Sequence, residues 1–387
     1  MKPRLISEGT YGCIFNPGFR CNYSSGSGSG SLKNENTDIK YATKVHSNVN
    51  LSIVKNEITI STKIRENISN YDVYFSPVLE TCKVNLAKVD ADKCKIIKDK
   101  KPTQFFSTKM KYVDGLTLYK HVEQLAKRVK INTKLYAEVA ALYKKICLGL
   151  EELKFIGIVH FDLKDNNIVV TKSGSPVIID FGISIDMDKI FAAMSAHKAA
   201  LSVSSATASA AAASAAAASA AAASAAATTA AATTAAAAAS SMKSSEHKQD
   251  FYKLLDSSFY AYNTDYVPWC VDIVLISFII QKQKPKEMIT AEQIMNIFDE
   301  VMRKNKLSSK SYLKDSLSVY RERFKENVAY KFNDQENVHL LYHLLENFGK
   351  WDLFSATLLF VEMLDKINQV PNIKHINEIK NGLGFME

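Results

Sequence analysis

The chain has 387 residues, of which 47% are hydrophobic and 23% are charged, and its formal net charge is +9. This length allows two or three compact units with substantial cores, and the longest apolar run, at 271–280, is too short to span a bilayer. Nine lysines between Lys83 and Lys111 supply much of the basic excess with few aromatic residues among them, which is typical of a solvated surface rather than a nucleic-acid site.

The first predicted strands surround a glycine turn. Residues 1–15 alternate in polarity and run through Gly9 and Gly12. Residues 16–40 are polar, and their Gly/Ser-rich part at 24–31 predicts a flexible insertion between strands. No charged and apolar leader opens the chain, so we expect no secretory signal.

A strand and a helix are predicted after this insertion. Residues 40–46 have a strand pattern, and residues 52–65 have the apolar spacing of a helix. Residues 103–113 predict a second, buried strand that ends in a turn. Apolar side chains at helical spacing over 135–153 predict a long helix, which Gly157 ends.

The second half of the chain contains a low-complexity tract. Short apolar strands are predicted at 168–170 and 177–179, and residues 191–245 are almost wholly Ala, Ser and Thr. Such a tract has no apolar ridge to bury, so we expect it to be disordered or transiently helical. Residues 291–348 are charged and amphipathic and predict helices, and residues 351–364 predict an apolar helix.

Two polar motifs follow strands in the middle of the chain. The first is His-Phe-Asp-Leu-Lys-Asp-Asn-Asn at 160–167, and the second is Asp-Phe-Gly at 180–182. An Asp with a Lys two residues later and an Asn five residues later suits a loop that takes a proton from a hydroxyl, touches a phosphate and holds a metal ion. Asp180 lies at the end of a predicted buried strand, so its side chain can face the loop at 160–167.

In order and spacing, these motifs resemble the catalytic loop and the metal-binding motif of eukaryotic-type protein kinases. The resemblance implies an α+β fold with two lobes, an antiparallel N-lobe sheet plus one helix and a mainly helical C-lobe. The N-lobe would span 1–111 and the C-lobe 112–387. The C-lobe would then carry the Ala/Ser/Thr insertion at 191–245 in its activation segment and a helical insertion at 273–350.

The same resemblance implies a role for each site residue, with ATP and Mg²⁺ as cofactors. Asp162 would accept or orient the substrate proton, and Lys164 would neutralise charge on the transferred phosphoryl group. Asn167 and Asp180 would hold Mg²⁺. The nucleotide would be bound by the glycine-rich strands, a lysine with its partner acid, and the hinge: Ile6, Gly9, Gly12, Ile14, Lys44, Glu57, Lys111 and Val113.

Five departures from the family pattern bear on regulation and substrate docking, and the Ala/Ser/Thr insertion in the activation segment is one of them. Ser7 replaces the first glycine, and Phe161 replaces the arginine that meets an activation-segment phosphate, which argues against switching by phosphorylation there. The segment ends in a degenerate motif at 266–269 and lies far from Asp352. In the family, the Asp at the position of Asp352 braces the catalytic loop through backbone amides; an acid favoured by a helix N-terminus is the alternative.

Three functions remain open. The first is an active serine/threonine protein kinase, since Lys164 favours these hydroxyls over tyrosine. The second is a pseudokinase that scaffolds partners, motivated by Ser7, Phe161 and the degenerate segment end. The third is a small-molecule phosphotransferase of kinase-like fold.

Three features look most like the protein kinases of large DNA viruses. They are the Tyr-Gly-Cys-Ile-Phe-Asn-Pro sequence at 11–17 followed by Cys21, the Tyr-Val-Pro-Trp ending at 266–269, and the helical insertion before the helix predicted at 351–364. We expect a monomer in the cytoplasm, which would be that of the host if the protein is viral, with packaging in a virion as a further location. We expect a protein substrate, no direct nucleic-acid binding and no membrane.

The cysteines carry a separate prediction. They are scattered, with no Cys-x-x-Cys pair and no nearby histidine cluster. We therefore expect reduced thiols, as in the cytosol, rather than disulfides. The six positions are Cys13, Cys21, Cys82, Cys94, Cys147 and Cys270.

Overall fold

The computed structural model describes residues 3–9, 12–19, 41–46, 51–85, 94–95, 97, 104–220 and 250–384. The predicted Gly/Ser-rich insertion at 24–31 lies outside the described residues. The chain divides into two compact units, which are described separately below. The first comprises Met1–Ile185, Leu307–Tyr320 and Gly349–Glu387, and the second comprises Asp186–Lys306 and Arg321–Phe348.

The secondary-structure elements follow in chain order. The strands are β1 (Arg4–Gly9), β2 (Gly12–Asn16), β3 (Tyr41–His46), β4 (Val78–Asn85), β5 (Gln104–Lys111), β6 (Gly115–Thr117), β7 (Ile158–Val159), β8 (Ile168–Thr171), β9 (Pro176–Ile178) and β10 (Ile185–Asp186). The helices are α1 (Leu51–Asn67), α2 (Tyr71–Tyr74), α3 (Leu118–Arg128), α4 (Asn132–Phe155), α5 (Met187–Ala220), α6 (Val271–Lys282), α7 (Ala291–Lys304), α8 (Lys314–Phe324), α9 (Asn337–Glu346), α10 (Trp351–Lys366) and α11 (Ile373–Gly382). Residues 250–258 are also helical. Short 3₁₀ turns occur at Asp165–Asn167, Leu307–Ser309, Ser311–Leu313 and Phe348–Lys350, and a π-helical turn occurs at Lys325–Tyr330.

The first unit contains a five-stranded antiparallel sheet with the strand order β1-β2-β3-β5-β4. Cys13 and Phe15 of β2 and Val45 of β3 enter one buried apolar cluster, as the two-residue period of a strand requires. The β2–β3 register places Ile14 opposite Lys44. The strand predicted at 40–46 is confirmed, and so is the antiparallel N-terminal sheet.

Helix α1 contacts this sheet through β4. Its buried residues include Val54, Ile60 and Ile64, which lie on one face of the helix. The Ser61 hydroxyl accepts a hydrogen bond from the Val78 amide at 2.9 Å, which ties α1 to the first residue of β4. The predicted helix at 52–65 is confirmed.

Helices α4 and α10 form the centre of the helical part of the first unit. The rings of Tyr143 and Phe360 stack at 4.4 Å between centroids, and the Tyr143 hydroxyl lies 2.9 Å from Oγ1 of Thr357. The predicted end of α4 is confirmed, because Gly157 adopts a φ of 67°, which favours glycine. Strands β6, β8 and β9 form a small antiparallel sheet beside these helices.

The second unit is helical in its described part. Helix α6 contacts both α7 and α9, and most of its side chains are buried, as expected of a helix that is apolar all round. Thr290 caps α7 with a capping box: its hydroxyl accepts from the Gln293 amide at 3.2 Å, and the Gln293 side chain accepts from the Thr290 amide at 2.9 Å. Helices were predicted over 291–348, and α7 and α9 confirm them.

The Ala/Ser/Thr tract is helical where the structure describes it. Helix α5 runs from Met187 to Ala220, so the disordered alternative is wrong for this part of the tract. Alanine has the highest helix propensity of all residues, and it is the commonest residue of this helix. Residues 221–249 lie outside the described residues.

The prediction of reduced thiols is wrong for the sheet. Cys13 and Cys94 form a disulfide with their Cα atoms 6.1 Å apart, and Cys82 is disulfide-bonded as well. Cys13 and Cys94 are fully buried in the apolar cluster beneath the sheet. The two positions are 81 residues apart in sequence, so only the fold brings them together. Cys147 and Cys270 are free.

Among the described helices, none combines the length and the apolar character that crossing a bilayer requires.

Candidate active site

The predicted catalytic loop is held by a buried carboxylate. Asp352, in the first turn of α10, accepts the amide of His160 through Oδ2 at 2.6 Å and the amide of Phe161 through Oδ1 at 3.1 Å. Burial raises the pKa of Asp352, although His160 and the two amide hydrogen bonds oppose that shift. The predicted bracing of the loop is confirmed, and a helix N-terminus favours an acid at the same position.

Phe161 takes a backbone conformation that few bulky residues adopt. Its φ is 69°, and its side chain is only 2% exposed. The left-handed conformation is costly for a residue of this size, and the hydrogen bond to Asp352 and the burial of the ring stabilise it. The loop therefore turns sharply just before Asp162.

Asp162, Lys164 and Asn167 form one hydrogen-bonded group. The Lys164 ammonium lies 2.9 Å from each carboxylate oxygen of Asp162. The Asn167 amide nitrogen donates to the Asp162 carbonyl at 2.8 Å and to its Oδ2 at 2.9 Å. The Asn167 side chain is therefore oriented by Asp162, and its amide oxygen points away from these bonds. Sequence reasoning placed these three residues together, and the structure does so.

Lys44, Glu57 and Asp180 form a second group. The Lys44 ammonium lies 3.2 Å from Oε2 of Glu57 and 2.7 Å from Oδ1 of Asp180. The side chains of Lys44 and Glu57 are 7% and 3% exposed, and that of Asp180 is 40% exposed. The predicted ion pair between Lys44 and Glu57 is thus present, and Lys44 links α1 to the Asp-Phe-Gly motif.

The charges of this group shift the pKa values of its members. Burial alone would lower the pKa of Lys44, but Glu57 and Asp180 outweigh it and raise that pKa above its ordinary value. Burial alone would raise the pKa of Asp180, but Lys44 lowers it on balance. Burial raises the pKa of Glu57 despite the charge of Lys44. An ammonium shared by two carboxylates keeps its proton.

The glycine-rich hairpin lies at the edge of the sheet next to Lys44. Gly9 and Gly12 face each other across the β1–β2 turn, and a Cβ on Gly12 would lie 2.5 Å from the Val45 carbonyl oxygen. Only glycine therefore permits this approach of β2 to β3. Ile6 is 47% exposed and Ile14 is half-buried.

The predicted hinge follows β5. The Lys111 carbonyl accepts a hydrogen bond from the Ser76 hydroxyl at 2.7 Å, and the Lys111 side chain pairs with Asp72 at 3.2 Å. Val113 is half-buried in the segment between β5 and β6. The β3–β5 pairing places Tyr41 opposite Lys111 and so connects the hinge to the strand that carries Lys44.

Sequence reasoning did not predict the roles of Ser76 and Asn56. Ser76 supports the hinge as described above, and Asn56 donates two hydrogen bonds to the segment after Asp180. Side-chain amides and hydroxyls that bond distant backbone carbonyls leave no periodic signal in a sequence. The position of Asn56 directly before Glu57 was the one available sign.

The donor atoms suit a magnesium ion. The carboxylate of Asp180 and the amide oxygen of Asn167 are both oxygen donors, which hard cations prefer. Among the residues that the structure describes, no group of three or more His, Cys, Asp and Glu side chains has metal-binding geometry. The two oxygen donors predicted from the sequence, Asn167 and Asp180, do not form such a group.

The fold and the site define the class of protein. An antiparallel five-stranded sheet with one long helix, joined to a helical portion that carries the catalytic loop, is the two-lobed protein-kinase fold.

Comparison with known sequences supports the same class. Residues 31–198 match the family described as "Protein kinase domain". A stretch of 78 residues is 35% identical to Sperm motility kinase 2A of Mus musculus and covers 20% of this chain and 14% of the relative. A stretch of 156 residues is 28% identical to Serine/threonine-protein kinase RHS3 of Arabidopsis thaliana and covers 40% of this chain and 26% of the relative. The chain thus spans a minor part of these curated relatives, and its residues 31–198 are similar to protein kinase domains.

Proposed function

We propose that this chain transfers the γ-phosphate of ATP, with Mg²⁺, to serine and threonine hydroxyls of protein substrates. The observation that carries the proposal is the double ion pair of Lys44, which contacts Glu57 at 3.2 Å and Asp180 at 2.7 Å. A lysine held in this way has a fixed position from which it can bind nucleotide phosphates. The second group, around Asp162, supplies the acid–base and charge-neutralising side chains.

Each residue of the site has a separate role in the proposed phosphoryl transfer. Magnesium-bound ATP, when present, brings the phosphoryl group and the cation that offsets its charge. Asp162 orients the substrate hydroxyl and accepts its proton, and Lys164 lies 2.9 Å from that carboxylate, ready to neutralise charge on the transferred group. Asn167 and Asp180 hold the metal. Catalysis is then mainly positioning and charge stabilisation.

The nucleotide would lie between the hairpin and the hinge. We assign Ile6, Gly9, Gly12 and Ile14 to the side that covers the phosphates and sugar. Backbone groups of Lys111 and Val113 would hold the adenine. We place the N-lobe at 1–111 and the C-lobe at 112–387.

Serine and threonine specificity rests on Lys164 and on one relative. Lys164 stands two residues after Asp162, where tyrosine-specific kinases usually have a different residue. The Arabidopsis relative is named a serine/threonine-protein kinase. We further propose a monomer, and the cytoplasmic location and the resemblance to kinases of large DNA viruses stay predictions.

A pseudokinase is the second candidate. The chain enters helix α5 at Met187, seven residues after Asp180, so these residues do not form an extended activation segment of the usual kind. Phe161 is buried where the family has an arginine. Against this candidate, Lys44, Asp162 and Asp180 are all retained, whereas pseudokinases usually lose one of them.

Labelled ATP separates the two candidates. Purified protein, ATP labelled at its γ-phosphate and a mixture of proteins would be incubated with and without Mg²⁺, and phosphoamino acids would then be analysed. We expect Mg²⁺-dependent label on serine and threonine, with loss in Asp162→Asn and Asp180→Ala. Asp315→Asn, an exposed acid in the first turn of α8, is the matched control. Label transfer that is equal in all four proteins would contradict the assigned roles, and nucleotide binding without transfer would favour the pseudokinase.

A further inference from the structure

Asn56 of α1 makes two hydrogen bonds to the segment that follows Asp180. Its amide nitrogen donates to the Gly182 carbonyl at 3.1 Å and to the Ser184 carbonyl at 2.8 Å. A side-chain amide has two N–H groups, so the donors of this side chain are both used. The partners lie 126 and 128 residues away in sequence, which makes these bonds a tie between two distant parts of the chain.

Glu57, the next residue of α1, is connected to the same segment through Lys44. Glu57 pairs with Lys44, and Lys44 pairs with Asp180. Gly182 is two residues after Asp180. Helix α1 therefore holds this segment through an ion-paired lysine on one side and through the Asn56 amide on the other.

Asn56 and Glu57 are adjacent in α1, and both can make these contacts only in a restricted orientation of the helix. Successive residues of an α-helix differ by about 100° around its axis, so Asn56 and Glu57 point in different directions. A Cβ on Gly182 would lie 3.2 Å from Cγ2 of Ile53, one turn earlier in α1. Rotation or outward movement of α1 would break the hydrogen bonds of the Asn56 side chain and the Lys44–Glu57 ion pair together.

Phe161 stands where the family has an arginine, and the hydrogen bonds of Asn56 can replace the contact that this arginine makes with a phosphate. An arginine before the catalytic aspartate can bind a phosphate on the activation segment and so order that segment. Phe161 has no charge, and its ring is 2% exposed. The Ser184 hydroxyl instead donates to the His160 carbonyl at 3.0 Å, and Ser184 is also a partner of Asn56. Beside the Lys44–Asp180 ion pair, uncharged hydrogen bonds of Asn56 and Ser184 therefore fix the residues that follow Asp180.

We propose that Asn56 is a positioning residue that keeps α1 and the Asp180–Phe181–Gly182 segment in the arrangement for phosphoryl transfer, without a phosphate on the activation segment. This inference rests on the proposed function above. Asn56 does not touch the substrate or the nucleotide; it acts through Asp180, and through Glu57 on Lys44.

The test separates turnover from binding. In Asn56→Asp, a carboxylate that cannot donate faces two carbonyl oxygens, and in Asn56→Ala the donors are absent. Two lost hydrogen bonds correspond to a decrease of about tenfold or more in kcat. We expect the KM for ATP to change less than about twofold, because adenine is bound at the hinge. The Mg²⁺ concentration for half-maximal rate should rise, because the loosened residue is Asp180.

Asn67→Asp is the matched control. Asn67 lies in the same helix, and its amide donates to the Lys63 carbonyl at 2.8 Å within that helix. The same chemical change there should leave kcat and the Mg²⁺ requirement unchanged. Hydrogen exchange of the amides at 180–185 gives a readout that needs no turnover, and it should be faster in both Asn56 variants and unchanged in Asn67→Asp.

The outcomes are distinguishable. Wild-type kcat and Mg²⁺ dependence in both Asn56 variants would overturn the proposal, and so would loss of wild-type activity after phosphatase treatment. If Asn56→Asp does not fold, Asn56→Ala carries the same comparison. An inactive wild type would overturn the proposed function, while amide exchange would still report whether Asn56 holds the segment; unchanged exchange would overturn that role as well.

Discussion

Lys44 and Asp180 are 136 residues apart in sequence, yet the Lys44 ammonium lies 2.7 Å from Oδ1 of Asp180. The ammonium also contacts Glu57 of α1. A strand, a helix and the Asp-Phe-Gly motif therefore meet at one buried cation. Its removal should affect activity and stability in separable ways.

Lys44→Met should lower kcat/KM for ATP-dependent transfer by about a hundredfold or more, because a fixed positive charge near the phosphates is lost. It should also lower the free energy of unfolding by about 3 kcal/mol, because Glu57 is left buried without its cation. Adding Glu57→Gln should restore part of the stability and none of the activity. Steady-state kinetics and urea unfolding measure the two effects.

Lys55→Met is the control for this series, since Lys55 is an exposed residue of the same helix. It should leave both quantities near their wild-type values. Wild-type transfer by Lys44→Met would contradict the role given to Lys44.

His46, two residues after Lys44, should make the protein less stable at mildly acidic pH. Burial, with the charge of Lys44, lowers the pKa of His46 to about 3. The unfolded chain takes up this proton below about pH 6.5 and the folded chain does not, so stability falls as pH decreases from there. The expected loss from this residue is about 2 kcal/mol at pH 5.

His46→Gln should remove this part of the pH dependence while keeping a polar group near the Thr108 hydroxyl, which lies 2.9 Å from the His46 ring. Urea unfolding at pH 7 and pH 5 measures the difference. His339→Gln, at an exposed position of α9, should retain the wild-type slope. Equal slopes in His46→Gln and wild type would show that His46 does not contribute.

The sequence was sufficient to predict the main groups of the site because their chemistry demands fixed spacing. Asp162, Lys164 and Asn167 share one short loop, so their order along the chain already limits their distances. Lys44 and Glu57 could be paired because the sequence around each resembles the protein-kinase pattern, and the ion pair is present in the structure. The fold class followed from the same motifs, and the antiparallel sheet and α1 confirm it.

Tertiary contacts that the protein-kinase pattern does not specify could not be predicted. The Cys13–Cys94 disulfide joins positions 81 residues apart, and scattered cysteines do not reveal their pairing. The hydrogen bonds of Asn56 and Ser76 go to carbonyls of distant segments. The extent of α5 could not be predicted, because the helix propensity of alanine favours a helix whereas the lack of an apolar ridge to bury favours disorder.

Asp352→Ala should slow transfer and destabilise the protein. The His160 and Phe161 amides would each lose a buried acceptor, and an unsatisfied buried amide costs about 1–3 kcal/mol. The loop before Asp162 would relax from the left-handed conformation at Phe161. We expect kcat to fall about tenfold or more with a smaller change in the KM for ATP.

Asp315→Ala controls for the effect of an acid near a helix N-terminus, because Asp315 lies in the first turn of α8. Loss of that effect alone costs about 0.3–1 kcal/mol. If both variants lose the same small amount and kcat is unchanged in each, Asp352 acts only on the helix dipole and does not brace the loop.

The disulfide should stabilise the glycine-rich hairpin. Cys13 directly follows Gly12 in β2, and the Lys95 amide, next to Cys94, donates to Oε1 of Glu8 in β1 at 3.0 Å. Both strands of the hairpin are therefore tied to the segment around Cys94. Replacing Cys13 and Cys94 together by alanine should lower the free energy of unfolding by about 2–4 kcal/mol.

The same double variant should bind ATP more weakly, because the hairpin that covers the phosphates loses its covalent tie. The KM for ATP should rise several-fold while kcat changes little, since Asp162 and Asp180 are held by other contacts. Cys147→Ala, at a free cysteine in α4, should leave the KM for ATP unchanged. An unchanged KM in the double variant, together with the expected loss of stability, would mean that the disulfide supports the sheet without positioning the hairpin.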